Sequence, residues 1–560
     1  MLTPVAYRCS PGDRVRATVI RSRPHSHSPP ALLEELPPVQ IVSLGTSIDH
    51  HSPTIVLTLD SSSSHTLYSG SATVEGHDFF ISNASYVISG SGPIGAWWGT
   101  RTLLQQLVLS ESGDDGTYRL PTGNGTDCPG WEVRGFMLDT GRHWYAADFL
   151  ADVCTYASFF KINELHIHAS DNLWIPSLLY GPDWGSLYSG LRFQPPPDSP
   201  VYGLVPHLVP EIDTPGHSLV ISQWRPQLML NGTPDFLNLT YPETIPTIKS
   251  IWTQFLSWFS SNEVSIGADE YSSSFADAYI SFVNEMSSYV GRMSGKGIRV
   301  WGTYEPSNTS SISTNVTIQH WDFPDGSIPV SLLSSGHRVI NSEQAFLYLD
   351  GKIPTEGGFA QTLNLSLLFS GASAQGAGWA PNVFTASDPG NNTAYNNPGL
   401  RGAIFALWND WGPNATTPLE TYYQLSQSLA VFAEKTWSGS GVRKSELTME
   451  QFEAAYPPLN AHAPGQNLNR AVTGMKPGDV VYAFESVPYF PFHTGVDSVG
   501  PPYTLSFSVR PTAADVETMG ILHSRGCSKG QILLCMPPLS RLGVTRSTIS
   551  FLLFSNCSGD

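Results

Sequence analysis

Between residues 131 and 435 the chain keeps one rhythm, in which short apolar runs alternate with longer helical patterns. Val133–Leu138, Glu164–His168, Leu208–Ile212, Val264–Ile266, Ile298–Trp301, Val316–Trp321, Val339–Asn341 and Ala403–Leu407 read as strands. Ala146–Phe160, Ile248–Phe259, Phe275–Met293 and Leu419–Ala433 read as helices. Strands alternating with helices over roughly 300 residues predict an α/β fold of the (β/α)8, TIM-type barrel class, with a doubly wound sheet as the alternative. One stretch breaks the rhythm. The 39 residues between His168 and Leu208 contain three consecutive prolines, Pro195–Pro197, and no helical pattern. Parallel neighbours need a crossover, usually a helix, so a barrel helix is expected to be missing here.

The barrel is expected over residues 129–438. Ahead of it, Val56–Leu59 and Tyr86–Ile88 are β-rich, and Trp97–Leu109 carries leucines at 103, 104 and 107. Strands followed by a helix predict a small α/β domain over 41–128, joined to the barrel by the Gly-rich polar stretch 122–129. After Gly439 the helical patterns fade. Tyr503–Val509, Gln531–Cys535 and Thr548–Phe554 read as strands, so 439–560 predicts a small β-rich module. Residues 1–40 carry several arginines and many prolines but no apolar core of signal-peptide length, and read as a disordered or atypical leader.

Composition narrows the partners. Only 14% of the residues are charged and 41% are hydrophobic, which excludes charge-driven disorder for most of the chain. With 29 basic against 47 acidic residues and no basic stripe, a nucleic-acid partner is not expected. No apolar run approaches the ~20 residues of a membrane span. N-x-[ST] sequons stand at Asn83, Asn124, Asn231, Asn238, Asn308, Asn315, Asn364, Asn391, Asn414 and Asn556, which favours the secretory pathway. Three of the six cysteines, Cys527, Cys535 and Cys557, cluster near the C-terminus, where one disulfide is expected if the chain is secreted.

In a barrel of this kind the reactive side chains gather at the C-terminal ends of the strands. Here those positions hold Asp139 and Arg142, His168 and Asp171, Asp213 and His217, Asp269 and Glu270, then Trp301, Trp321, Trp408 and Asp410. Carboxylates, an arginine and indoles on one rim suit a sugar: indole faces stack on pyranose C–H faces, and the charged groups grip hydroxyls. Asp269-Glu270 is the sharpest element. Glycosidic cleavage needs a proton for the leaving oxygen and negative charge near an oxocarbenium-like centre. Neighbouring carboxylates resist double ionisation, which raises one pKa into the range of a useful acid. His166 and His168 with His217 raise the alternative of a zinc hydrolase, since H-x-H on a strand puts two imidazoles on one face. No further histidine or lysine supports a metal centre, so no metal is expected, and a His217–Asp171 hydrogen bond is the preferred reading.

Several blocks together resemble glycoside hydrolase family 20, the β-N-acetylhexosaminidases, with a flavour of secreted fungal members. They are Arg134–His143, Leu165–Asn172, Pro210–His217, Gly267–Glu270, Tyr348–Asp350 and Leu407–Asp410, preceded by Gly92–Gly95 and Thr102–Gln105 of the N-terminal domain. The resemblance implies substrate-assisted retention, in which the sugar's own 2-acetamido carbonyl attacks the anomeric carbon and forms an oxazolinium. It implies that Glu270 is the general acid/base and that Asp269 orients the acetamido group. Tyr348, Trp301 and Trp321 would box the acetamido group. Arg142 would bind O3 and O4, Asp350 and Asp410 would take O4 and O6, and Trp408 would stack under the ring. Asp171 and His217 would form a supporting pair. No cofactor is implied, the partner is a carbohydrate, and a homodimer is left open. Three departures stand out: Ser265 where the family has His, Asp410 where it has Glu, and the short segment before Leu208. The last motivates an alternative, a sugar-binding homologue impaired by the missing segment.

Overall fold

The computed structural model describes residues 54–83, 85–110, 118–173, 183–193, 208–302, 307, 309–323, 328–351, 359–373, 376–413, 416–439, 446–466, 503–508 and 548–553. The leader, Gln531–Cys535 and the three C-terminal cysteines lie outside them.

The N-terminal domain is a four-stranded sheet in the order Thr54–Leu59, Ser85–Gly90, His77–Ile81, Gly123–Asp127, its first pair parallel and the rest antiparallel. The helix Pro93–Leu109 starts with Pro at its first turn, where a missing N–H costs nothing. It lies tight on the sheet because Gly99 has no side chain: a Cβ there would stand 2.3 Å from Ile88 Cγ2. The same domain is fastened to the barrel by buried polar contacts. Lys161 Nζ reaches Asp127 at 2.6 Å and Thr102 Oγ1 at 2.7 Å, and Gln105 donates to the Phe159 carbonyl at 2.7 Å.

The barrel closes as the alternation of strands and helices predicted. Val133–Asp139, Glu164–His168, Leu208–Glu211, Glu263–Ser265, Gly297–Trp301, Thr317–His320, Arg338–Asn341 and Leu400–Trp408 pair in that order, all parallel, and the last pairs back onto the first. A ninth short strand, Tyr348–Asp350, adds to the C-terminal end of Leu400–Trp408. The N-terminal end of the cylinder is plugged by charge. Arg299 bonds Glu263 at 2.9 Å and Glu164 at 2.5 Å, and Arg401 bonds Glu263 at 2.5 Å. Buried charge of this kind survives only when paired, so the chemistry is left to the other end. The expected helices appear as Ala147–Phe159, Thr244–Phe255, Ala276–Ser294 and Pro418–Trp437. Ala276–Ser294 buries Tyr279, Phe282, Val283, Met286 and Val290 along one face and ends at Gly295 in the left-handed region.

Between His168 and Leu208 the described residues form an antiparallel pair, Ser170–Asn172 with Ser189–Leu191, and a 3-10 turn, Trp184–Ser186. Residues 174–182 and 194–207 are outside the description. The third strand is nevertheless paired on both sides. Phe193 packs between Phe255 and Phe259, ring centroids 5.4 and 5.1 Å apart, so aromatic side chains meet apolar surface on this side of the barrel.

One finding departs from the reading of 439–560 as a β-rich module. A helix spans Met449–His462, capped by a reciprocal Thr448–Gln451 box, with Phe452 and Leu459 buried. Two prolines inside it, Pro457 and Pro458, hid its helical pattern. It packs with the barrel body, where Tyr156 donates to Asn460 Oδ1 at 2.8 Å. The second unit, taken by itself, contains an antiparallel pair, Tyr503–Ser508 with Thr548–Leu553.

Candidate active site

At the C-terminal mouth the first and eighth strands are tied by Asp139. This buried carboxylate accepts the Arg142 backbone N–H at 3.0 Å, its Nη1 at 3.0 Å, and the Asn409 N–H at 3.0 Å. Arg142 is thereby aimed across the mouth. Its Nη2 meets Asp171 at 2.8 Å, its Nη1 meets Asp410 at 3.2 Å, and its Nε donates to the Asn172 carbonyl at 2.7 Å. Burial works against its charge, but Asp171, Asp410 and Asp139 outweigh burial and hold its pKa well above the ordinary value. Asp171 is buried as well. Arg142, His217 and His168 overcome the burial and keep it ionised far below the usual carboxylate range. The expected His217–Asp171 bond is present at 3.1 Å, Nδ1 to Oδ1. The other ring nitrogen of His217, Nε2, lies 3.1 Å from Glu270 Oε2 and 3.8 Å from Asp269 Oδ2.

The acid pair sits on an unusual turn. Gly267, Ala268 and Glu270 all have positive φ, at 68°, 66° and 52°. Residue 267 must be glycine: a Cβ would fall 1.9 Å from Asp213 Oδ1. Non-glycine residues in this region cost about 1–2 kcal/mol each. The turn is held by Asp213 accepting the Ala268 N–H at 3.1 Å and by the Tyr279 hydroxyl donating to the Ala268 carbonyl at 2.7 Å. It points Asp269 inward, 8% exposed, and leaves the Glu270 side chain half exposed.

The two acids are pushed apart, as neighbouring carboxylates should be, but in the unexpected sense. Burial raises Asp269 to about 6, with His217 opposing and Glu270 adding to the rise. Glu270 is lowered, first by the hydrogen bond from His217. Asp213 behind them is raised well above the usual carboxylate range by burial and by Asp269; among the described residues its Oδ2 has no hydrogen-bond partner.

Aromatic rings line the adjoining wall. Tyr348 stands 6.4 Å from Trp301, 5.7 Å from Trp408 and 6.1 Å from Trp321, and it is parallel to the last. Phe359 joins them, 5.1 Å from Tyr348. Trp301 is backed by His166, stacked at 5.8 Å. Beside the wall, Asp350 Oδ1 accepts the Gly351 N–H at 2.7 Å and the Asp410 N–H at 3.2 Å. Burial raises Asp410 to about 7; Arg142 opposes this and Asp350 reinforces it. The eleven side chains to which the resemblance gives roles therefore stand at one end of the barrel.

Other members were missed or left without a role. Glu211 is buried and bonds His166 at 3.0 Å, His168 and the Ser265 hydroxyl. A carboxylate inside an otherwise apolar strand was the available signal. Asn409 and Phe359 carried none. Possession of a hydroxyl lets Ser265 reach Glu211 without the imidazole seen in the family block. Two donor sets converge to within 4.8 Å, His168 with Glu211 and Asp213, and Asp171 with Asp213 and His217. In both, the ring nitrogens already bond carboxylates, and His166 and His168 turn to Glu211 instead of joining His217. Zinc ligation by the three imidazoles is therefore not the arrangement found.

The catalytic-domain model of glycosyl hydrolase family 20 matches residues 131–175 and 206–440, so residues 176–205 fall between the matched parts. Beta-N-acetylhexosaminidase of Cellulomonas fimi is 24% identical over 364 residues, 60% of this chain and 68% of that protein. Lacto-N-biosidase of Bifidobacterium bifidum is 24% identical over 422 residues, 69% of this chain and 34% of that protein. Beta-hexosaminidase subunit beta of Sus scrofa is 31% identical over 221 residues, 34% of this chain and 40% of that one. The chain thus spans about two thirds of the first relative and less than half of the other two. In fold, it is similar to Streptomyces plicatus N-acetyl-beta-hexosaminidase solved with Thio-NAglucal, with a TM-score of 0.61 and 19% identity over 83% of this chain and 95% of that one. With half of its residues matched by the catalytic-domain model, the chain belongs to glycosyl hydrolase family 20.

Proposed function

We propose that the chain is an exo-acting β-N-acetylhexosaminidase, a retaining glycoside hydrolase that releases terminal GlcNAc or GalNAc by substrate-assisted catalysis. The observation that carries the reading is the Asp269-Glu270 pair, set by its left-handed turn beside a wall of three indoles and the Tyr348 phenol. Such a wall suits an acetamido methyl and a pyranose face, and Arg142, Asp350 and Asp410 suit hydroxyls.

In the first step the acetamido carbonyl oxygen attacks the anomeric carbon, the glycosidic C–O bond breaks, and Glu270 gives its proton to the leaving oxygen. An attached nucleophile gains several kcal/mol over a free one when well oriented. Asp269, ionised above about pH 6, accepts the acetamido N–H and stabilises the positive charge that spreads into the oxazolinium. Tyr348 donates to the acetamido oxygen. In the second step Glu270 takes a proton from water, which attacks the anomeric carbon and reopens the ring with net retention. The His217 hydrogen bond lowers the pKa of Glu270 before substrate arrives. A leaving group laid over this half-exposed carboxyl removes it from water and raises its pKa, so it acquires the proton it must donate.

Sequons whose asparagines are exposed, Asn83, Asn124, Asn231, Asn315 and Asn364, support a glycoprotein of the secretory pathway. Among the described residues no helix is long and apolar enough to cross a membrane. The test is hydrolysis of aryl N-acetyl-β-glucosaminide and galactosaminide by wild type and Glu270→Gln. Turnover that is lost in the variant supports the reading. Saturable binding without turnover by either protein defeats it.

A further inference from the structure

The hydrogen bonds that hold His217 against Glu270 continue inward past Asp171. Asp171 Oδ2 meets His168 Nε2 at 2.6 Å, and His168 Nδ1 meets Glu211 Oε1. The result is a single file of five side chains, Glu211, His168, Asp171, His217 and Glu270, drawn from the ends of three neighbouring strands. Each imidazole has a carboxylate oxygen at both nitrogens. A neutral ring has one N–H and would set a lone pair against one of those oxygens, so with both carboxyls ionised only the doubly protonated ring satisfies both. Charge then alternates along the file, from buried carboxylate to mouth carboxylate.

Glu211 anchors the inner end. It is fully buried, two residues before Asp213, and it is held by His166 at 3.0 Å and by the Ser265 hydroxyl as well as by His168. We infer that Glu211 is a positioning residue for the hydrolysis proposed above: it fixes His168 as an imidazolium, and through Asp171 it sets the orientation and charge of His217 at Glu270. The inference rests on that hydrolase reading for its kinetic consequence but not for its proton count.

The charged groups facing the file are few. Glu211 faces His166, His168, Asp213 and Asp269; Asp171 faces Arg142 as well as the two imidazoles; His217 faces Asp269 beside Glu270. Burial alone would neutralise Glu211, and His166 and His168 keep it ionised well below the usual range. Remove that charge and His168 has one carboxylate instead of two, so it gives up a proton. Asp171 then loses a cationic partner, more negative charge is left beside His217, and Glu270 holds its proton to higher pH.

The experiment is Glu211→Gln in the full chain, assayed on an aryl N-acetyl-β-glucosaminide. We expect kcat to fall roughly tenfold or more with KM nearly constant, and the alkaline limb of the kcat profile to move up by about half a pH unit or more. Glu263→Gln removes another buried, multiply bonded carboxylate, at the opposite end of the barrel. It should lower Tm and leave the limb in place. The inference is overturned if Glu211→Gln lowers Tm without moving the limb, or if Glu263→Gln moves it equally. His168→Gln should reproduce the limb shift, which covers failure of Glu211→Gln to fold. A readout independent of turnover is ¹⁵N NMR of histidine-labelled protein. The wild-type His168 ring should stay doubly protonated through pH 8 and become titratable in Glu211→Gln. A neutral wild-type His168 at pH 7 overturns the inference, whereas absent wild-type turnover overturns only the hydrolase reading.

Discussion

Asp213 offers the sharpest test of the electrostatics behind the mouth. It is buried beside Asp269 and Glu211, and all three features raise its pKa. In the folded chain it keeps its proton where the unfolded chain, with an ordinary aspartate near 3.8, has lost it. The sign follows: above pH 3.8 the native state binds more protons than the unfolded state, so stability falls as pH rises, by about 1.4 kcal/mol per unit. For as long as Asp213 keeps its proton this one group goes on lowering stability as pH rises, against a total of only ~5–15 kcal/mol. Asp213→Asn fixes the neutral form. The amide oxygen can still accept the Ala268 N–H, while the amide nitrogen inherits the unpartnered position of Oδ2, at a cost of about 1 kcal/mol. The variant should therefore be less stable than wild type at pH 4 and gain on it as pH rises. At roughly 2 °C per kcal/mol, its Tm relative to wild type should rise by about 3 °C per pH unit for as long as Asp213 keeps its proton. Differential scanning fluorimetry at half-unit steps measures this directly. A Tm difference that does not change with pH, or one that favours wild type more strongly at pH 6, would refute the assignment of a retained proton to Asp213.

Three further outcomes are expected. Gly267→Ala forces a Cβ onto Asp213 in a left-handed backbone; the combined strain of about 2–5 kcal/mol should lower Tm by several degrees and abolish turnover on the aryl glucosaminide. In the wild-type kcat/KM profile the acidic limb should fall near pH 6, activity rising as Asp269 ionises, and Asp269→Asn should remove that limb together with most of kcat. Tyr348→Phe deletes one buried hydroxyl from the aromatic wall and should cost about 2–3 kcal/mol in kcat/KM for N-acetyl substrates while leaving Tm within ~2 °C, measured by steady-state kinetics beside thermal melts.

The barrel was legible because its strands are short, apolar and regularly spaced, and because residues that end them change abruptly from apolar to charged. Asp139, Arg142, Asp171, His217, Asp269 and Glu270 could be gathered on one rim from that rule alone. The division of labour between Asp269 and Glu270 was implied by the resemblance alone and was not legible in the strand pattern. It depends on which carboxyl the 267–270 turn buries and on which one receives the His217 proton, and both are consequences of backbone angles that composition does not carry. Glu211 escaped a role because a strand shows which face a residue takes but not what sits across the barrel from it. The helix Met449–His462 escaped because two adjacent prolines mimic a break; both are accommodated within the last two turns of a helix whose first turn is strongly capped.

The Arg142 guanidinium carries a consequence for ligand choice. Its Nη1 donates to Asp139 and its Nε to the Asn172 carbonyl, while Asp171 and Asp410 stand at ion-pair distance from Nη2 and Nη1. An incoming oxygen that approaches Nη1 competes with the Asp410 carboxylate, the most exposed of the three acids. The displaced carboxylate must then be given a hydrogen in return. A free hydroxyl does both at once, accepting from the cation and donating to the acid, whereas an etherified or acylated oxygen can only accept. We therefore expect the mouth to favour an uncapped sugar end, through an exchange of partners.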